Sequence, residues 1–180
     1  MILINIADFI FDKNKDNMDE RALLYVDRQG NEESWSYRDL DLMSNRAANL
    51  LKSHGIKKGD RVFVYLDRSP ETYFFILGIF KIGAIYCPLF PSFGPDAVKE
   101  RFSDCQGSII IAESKLSENV EGLPNILVDR EGEFRSRLLS MSKDFESVKM
   151  SNEDYAIIHY TSGTTGKPKG AVHCHGAIMS

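Results

Sequence analysis

Hydrophobic and polar positions follow each other along the chain in blocks whose periods change, and those changes mark the elements. From Asn5 to Phe11 the apolar residues fall at helical spacing and predict a short amphipathic helix, after which Lys13 to Glu20 reads as a polar loop. Ala22–Val26 and Glu32–Trp35 read as paired strands, with Asp27-Arg28-Gln29-Gly30 supplying the turn chemistry between them. Ser36, with Asp39 three residues on, forms an approximate capping box. Leu40, Met43, Ala47, Leu50 and Leu51 then recur at helical spacing, and Gly55 marks the stop.

From Arg61 the pattern becomes an alternation. Arg61–Leu66 is a continuous apolar strand of the kind buried in a parallel sheet. Ser69-Pro70-Glu71 opens a helix with proline at its first position, and the stretch to Ile82 is apolar almost all round, as in a helix packed between layers. Gly83 ends it, Ala84–Cys87 is the next strand, Gly94-Pro95-Asp96 opens a helix to about Asp104, and Ser108–Ala112 is a third strand. Strand–helix–strand–helix–strand predicts an α/β fold: a layered, mostly parallel, doubly wound sheet with flanking helices. Ser114–Pro124 reads as polar and exposed, Asn125–Val128 as a short strand, Glu131–Met141 as a helix and Lys143–Glu153 as a linker. Tyr155–Tyr160 has the β-branched and aromatic content of a buried strand, and Ala171–Ser180 reads as the start of a helix. A helix beginning there would add its N-terminus to an anion site.

Composition narrows the class. A length of 180 residues makes one domain with a sizeable core and hardly two, and 43% hydrophobic with 27% charged residues is ordinary for a globular chain. The formal net charge of −4 gives no electrostatic case for nucleic acid or an anionic membrane as partner. The longest apolar run, Tyr73–Ile82, is interrupted by Lys81 and is too short to span a bilayer. Met1–Ile6 lacks a preceding basic segment and does not read as a signal peptide. Cys87, Cys105 and Cys174 form no close pair in sequence, and a reducing, cytoplasmic setting is the natural expectation. Cys174 lies between His173 and His175, but no second cluster completes a metal site and none is expected.

The chemistry concentrates after the last strand. Residues 161–170 hold four hydroxyls, three glycines and two lysines. Glycine permits close backbone approach, successive N–H groups form an anion-binding concavity, and hydroxyls and ammoniums add donors and charge. That is an inventory for a polyphosphate. A Walker A loop is excluded, because Gly166-Lys167 runs into Pro168 and the position five before Gly166 is Thr161. A dinucleotide fingerprint fails on the spacing of Gly163, Gly166 and Gly170. Composition alone leaves a phosphate loop and an ordinary surface loop both open.

Tyr160-Thr-Ser-Gly-Thr-Thr-Gly-Lys-Pro-Lys-Gly170 resembles the signature loop of the adenylate-forming enzymes, which include acyl-CoA synthetases, luciferases and peptide-synthetase adenylation domains. Trp35-Ser36-Tyr37-Arg38-Asp39-Leu40, Gly59-Asp60-Arg61-Val62 and Arg68-Ser69-Pro70-Glu71 are similar to earlier segments of that family. Leu77–Ala84, Pro88-Leu89-Phe90, Phe93–Ala97 and Arg101-Phe102 look most like acetate–CoA ligases. The resemblance covers essentially the whole chain and the N-terminal part of a much longer enzyme, so residues 1–180 are expected to be a partial, truncated N-terminal domain, with the C-terminal domain absent.

The resemblance implies ATP, Mg2+ and CoA as cofactors and a small carboxylate, such as acetate, as substrate. It implies that the loop embraces the β- and γ-phosphates. Thr161, Ser162, Thr164 and Thr165 would be donors, Gly163 and Gly166 would give close approach, Lys167 would add charge, and Lys169 would be the principal basic, catalytic residue. The family's glutamate motif, ribose-binding aspartate and catalytic lysine domain lie downstream of such a loop, so the 180 residues alone are expected to be inactive. Two readings stay open: part of a working ligase, or a non-catalytic truncated or split-gene nucleotide-binding module, perhaps completed by a separate chain. The remaining motif residues have plainer readings. Gly59-Asp60-Arg61 reads as a turn, Arg68 and Glu71 as a surface pair and the Tyr73–Phe80 aromatics as core. Arg101 reads as solvated, and His159 and His175 as structural core histidines.

Overall fold

The structure is a computed structural model that describes residues 5–130, 132–162 and 168–180, the side chain of Ser162 excepted. Six strands form the central sheet: β3 (Arg61–Tyr65), β4 (Ile85–Pro88), β5 (Ile109–Glu113), β6 (Asn125–Val128), β7 (Tyr155–Ser162) and β8 (Pro168–Cys174). Their order is β6-β5-β3-β4-β7-β8, parallel throughout except for β8, which runs antiparallel to β7. A separate antiparallel ribbon joins β1 (Arg21–Val26) and β2 (Glu32–Ser36). The doubly wound parallel sheet is therefore as the sequence predicts.

Successive residues of the inner strands face opposite layers and are buried on both, which is why these strands read as unbroken apolar runs. Val62, Val64, Ile109 and Ile111 face one layer, formed by α1 (Ile6–Lys13), α2 (Tyr37–Ser53), α3 (Pro70–Lys81) and α5 (Glu133–Ser140). Phe63, Tyr65, Ile110 and Ala112 face the other, where α4 (Pro95–Asp104) contributes Val98 and Phe102. The Glu131 expected to begin α5 lies outside the described residues. The capping box of α2 is complete: the Asp39 N–H donates to Ser36 Oγ at 3.1 Å, and the Ser36 N–H donates to Asp39 Oδ2 at 2.9 Å.

The first layer is locked by a buried cation. Lys81, at the end of α3, donates from Nζ to Asp41 Oδ1 and Asn45 Oδ1, both at 2.5 Å, and stands 4.8 Å above the Phe11 ring. One ammonium thus ties α3 to α2 and α1, and removal of a partner from such a buried pair costs about 3–5 kcal/mol. Helices α2 and α3 cross at Gly78, where an added Cβ would lie 2.9 Å from both Ala47 Cβ and the Ala48 backbone nitrogen. Glu71 departs from the surface-pair reading. It is buried and is met by Arg130, whose Nε lies 2.9 Å from Glu71 Oε2. Arg68 is exposed, and the carboxylate is turned inward towards the later segment.

Two other segments also depart from expectation, and the linker is as expected but firmly held. Ser114–Pro124 is not a free polar stretch. It forms a 3-10 turn over Ser114–Val120 with Val120 buried and Leu116 and Leu123 packed against the second core. Lys143–Glu153 has no helix or strand but is strapped down: Met150 is buried, the Val148 N–H donates to the Lys81 carbonyl at 2.7 Å, and Asn45 and Asn49 hold carbonyls of Lys143, Ser142 and Asp144. Ala171–Cys174 is strand rather than helix. The backbone pairs with β7 over the whole of β8, and only α6 (His175–Met179), a short helix, follows. The ladder to β7 satisfies the same backbone groups a helix would have paired locally, so no helix N-terminus faces the loop.

His175 is buried, as the structural reading predicts, against Phe80 at 6.1 Å between ring centres. Neither ring nitrogen has a hydrogen-bond partner among the described residues. Burial pushes its pKa from 6.5 down to about 4, against the smaller opposing influence of Asp154. The unfolded chain takes the proton near pH 6.5 and the folded chain only near 4, so protonation favours unfolding and stability falls as pH drops through that window. In denaturant titrations at stepped pH, the protein should lose stability between pH 6.5 and 4 relative to a His175→Phe variant. A difference that stays constant over that range would show the histidine is not protonated on unfolding. At the helix crossing, alanine gains about 1 kcal/mol of helix propensity over glycine, but the contacts are to backbone and to a Cβ fixed to it, which cannot swing away. Gly78→Ala should therefore destabilise by about 1–3 kcal/mol, read as a shift in denaturation midpoint at unchanged slope. An unchanged or raised midpoint would mean the crossing has slack.

Candidate phosphate-binding hairpin

The residues singled out by the motif fall on β7, β8 and the connection between them. Gly163, Thr164, Thr165, Gly166 and Lys167 lie outside the described residues, as does the side chain of Ser162. The two flanking candidates are described, and they face each other: Thr161 pairs with Lys169 across the ladder. Both are exposed, with Thr161 Oγ1 at 3.5 Å from the Lys169 carbonyl, the outer limit of a hydrogen bond. Among the described residues no carboxylate pairs with Lys169. Directly opposed residues of an antiparallel pair place their side chains on one face. The hydroxyl and the ammonium therefore flank the connection from the same side.

Period-two alternation sets what lies on each face of this hairpin. His159, opposite Ala171, shares the exposed face with Thr161 and Lys169, which corrects the reading of His159 as a core histidine. Tyr160, opposite Gly170, points the other way into the second core. Its phenol donates to Asp104 Oδ2 at 2.7 Å and lies 3.2 Å from the Arg101 carbonyl, so the hairpin is pinned to the end of α4. Burial, with Asp104 and Cys105 beside it, raises the phenol's pKa and keeps it a neutral donor. Close approach favours glycine at 170: a Cβ there would stand 3.0 Å from Ile158 Cγ2.

Arg101 is not solvated as expected. Its guanidinium lies 4.4 Å above the Phe93 ring and 5.8 Å from Tyr160, and it donates to the Ala97 carbonyl at 2.8 Å. A cation stacked between two rings stiffens the junction of the β4–α4 loop with the hairpin. Sequence reasoning missed this Tyr160–Asp104–Arg101–Phe93 support. The four residues share no local periodicity, and the only available signal was that Phe93, Arg101 and Tyr160 all belong to motif segments.

A second concavity lies at the carboxyl ends of β3, β5 and β6, a cleft of about 490 Å3 lined in part by Arg68, Lys115 and Arg130. Ligands of open α/β sheets favour that edge, but Lys115 is paired with Glu113 at 2.5 Å and Arg130 with Glu33 and Glu71. Lys169, on the hairpin, has no ion-pair partner among the described residues, and neither has Arg68 in the cleft. Among the described residues no set of histidines, cysteines or carboxylates is placed to hold a metal ion, and His173, Cys174 and His175 do not converge. The Asp104 carboxylate, beside the hairpin, is taken by Tyr160. These residues do not themselves make a Mg2+ site. No helix among the described residues is long and apolar enough to cross a membrane.

The AMP-binding enzyme family matches residues 10–180. The chain is 37% identical over 172 residues to an acetyl-coenzyme A synthetase of Bacillus subtilis, covering 88% of this chain and 30% of that protein. Among solved structures it is similar to an acyl-CoA synthetase of Brucella canis, with a TM-score of 0.88 and 31% identity over 98% of this chain and 34% of the other. It is also similar to the anthranilate CoA ligase AuaEII in complex with anthranoyl-AMP, with a TM-score of 0.84 and 25% identity over 97% of this chain and 35% of the other. The chain spans about 30% of the length of the curated relatives it matches. With the parallel sheet, the Thr161–Lys169 pair and a family match that runs from the first helix to the last residue, the chain belongs to the AMP-binding enzyme family.

Proposed function

We propose that the chain supplies the nucleotide-phosphate hairpin of an AMP-forming acid–CoA ligase acting on a small carboxylate, acetate first among candidates, and that residues 1–180 are part of that enzyme's N-terminal domain. The observation that carries this reading is the pairing of Thr161 with Lys169 on one exposed face beside the 163–167 connection. In this reading a carboxylate oxygen attacks the α-phosphorus of ATP, the bridging α–β P–O bond breaks, and pyrophosphate leaves. The CoA thiol then gives up its proton and attacks the acyl carbonyl, and AMP leaves with the electron pair.

Charge builds on the departing pyrophosphate, and fixed donors aimed there lower the barrier. Lys169 and the Thr161 hydroxyl, with Ser162 at the end of β7 and Gly163, Thr164, Thr165, Gly166 and Lys167 on the intervening connection, are the groups assigned to the β- and γ-phosphates. Mg2+ would supply further charge neutralisation while bound to the phosphates. The two-ring clamp on Arg101 and the Tyr160–Asp104 bond hold the hairpin's base, so the donors need not be reorganised during the reaction. Three unpaired cysteines suit a cytoplasmic setting.

The test is acetate-dependent ATP–pyrophosphate exchange by the complete enzyme. Exchange should be faster with acetate than with longer carboxylates. Lys169→Ala should slow it on the order of 10²-fold, with the apparent KM for acetate little changed, because the lost contact is to the leaving group rather than to the acid. An unaltered exchange rate in that variant would remove Lys169 from the assignment. Absence of exchange with any small carboxylate would favour a nucleotide-binding module without ligase activity.

A further inference from the structure

The outward face of the hairpin holds more than Thr161 and Lys169. The ladder places three opposed pairs on it: Thr161 with Lys169, His159 with Ala171, and Ile157 with His173. The middle pair is uneven. Ala171 ends at its Cβ, so the surface dips there, with His159 about 5 Å across the ladder. Lys169 and His173 stand on either side of the dip along β8, each about 7 Å from Ala171. All four residues are exposed. Among the described residues, the Lys169 ammonium and the imidazoles of His159 and His173 make no hydrogen bond and no ion pair. Strand β8 ends the row of described strands, so the dip has no further strand on its outer side. No residue of this face is acidic.

We propose that this face is a groove for an oligophosphate chain, which lies along β8 over Ala171, with His159 and His173 as phosphate ligands in addition to Thr161, Lys169 and the 163–167 connection. The assignment rests on the reading of the hairpin as the phosphate site and carries that site two rungs further down the ladder.

The spacing of the donors selects a chain of phosphates over a single anion. Lys169 and His173 are about 13 Å apart along the strand, and His159 lies between them on the partner strand. An imidazole offers at least one ring N–H whichever tautomer it holds, and a lysine offers three N–H groups. Each of these donates to an ionised phosphate oxygen, the stronger class of hydrogen bond. A lone phosphate held at Lys169 leaves the two imidazoles unused, and each phosphate added in line reaches a further donor. A side chain larger than alanine at position 171 would lift the chain away from all three. The face thus distinguishes a triphosphate from a monophosphate by length as well as by charge, which the donors of the connection alone would not do.

The experiment is to titrate the purified protein with inorganic triphosphate and, separately, with inorganic phosphate, following the Cε1–H signals of its four histidines by NMR. Triphosphate should move the His159 and His173 signals together to saturation and leave His54, at the end of α2, and the buried His175 in place. It should bind about tenfold more tightly than phosphate. Ala171→Leu fills the dip from an exposed position, and it should weaken triphosphate binding about tenfold at an unchanged denaturation midpoint. His159→Gln combined with His173→Gln should weaken it by a similar factor. Triphosphate binding that Lys169→Ala abolishes but that neither moves the two histidine signals nor responds to Ala171→Leu would overturn the groove, while the phosphate role of the connection would stand. Equal movement of His54 would show diffuse counter-ion binding and would overturn it as well. A protein that binds no triphosphate at all would lose the groove and the hairpin's phosphate role together.

Discussion

Everything in this fold follows from the double parallel pairing of β3, to β4 on one side and β5 on the other. Parallel neighbours cannot be joined by a tight turn, so each pairing demands a crossover, and crossovers in the same sheet are right-handed. The step from β3 to β4 and the return from β4 to β5 run in opposite directions along the sheet. Their helices, α3 and α4, therefore land on opposite faces. Two hydrophobic layers result, and the carboxyl ends of the parallel strands are gathered along one edge.

The hairpin is the exception to that rule, and it carries the candidate chemistry. Strand β7 joins the sheet in parallel through Tyr86 and Ile157, but β8 turns back beside it. A crossover after β7 would have carried the chain away over a face of the sheet. A hairpin instead returns it at once, so the two ends of the 163–167 connection lie on neighbouring, hydrogen-bonded strands. Tyr160 then fastens this ribbon to the end of α4, which reaches the same place from the other side of the sheet.

Where the determinants are local, the sequence reads correctly. The capping box of Ser36 and Asp39, the proline-led start of α3, and the apolar runs of β3 and β5 all appear, and β6 spans Asn125–Val128 as predicted. The motif led to the hairpin because glycines, hydroxyls and lysines are themselves the signal. What was illegible is long-range. Nothing near Ala171 announces that β7 waits to pair with it, so a segment with mixed propensity was read as helix. The burial of Glu71 depends on Arg130, and that of the Arg101 guanidinium on Phe93 and Tyr160, contacts that only the folded sheet brings together. Polar spacing likewise gives Ser114–Pro124 the look of a surface loop, because Leu116, Val120 and Leu123 are scattered among polar residues and meet the second core only in the folded 3-10 turn.

The alternation along β7 and β8 divides the hairpin's inheritance into two ledgers. At Tyr160 and Gly170 a change of side chain alters the frame, through the Asp104 bond on one strand and the contact with Ile158 on the other. At Thr161 and Lys169 the backbone ladder sets the positions, and the side chains only decide what those positions present. Descendants of such a ribbon can therefore drift in affinity or in preferred anion at the outward positions while the inward pair is held constant. Scaffold and specificity are open to selection separately, although they sit one residue apart.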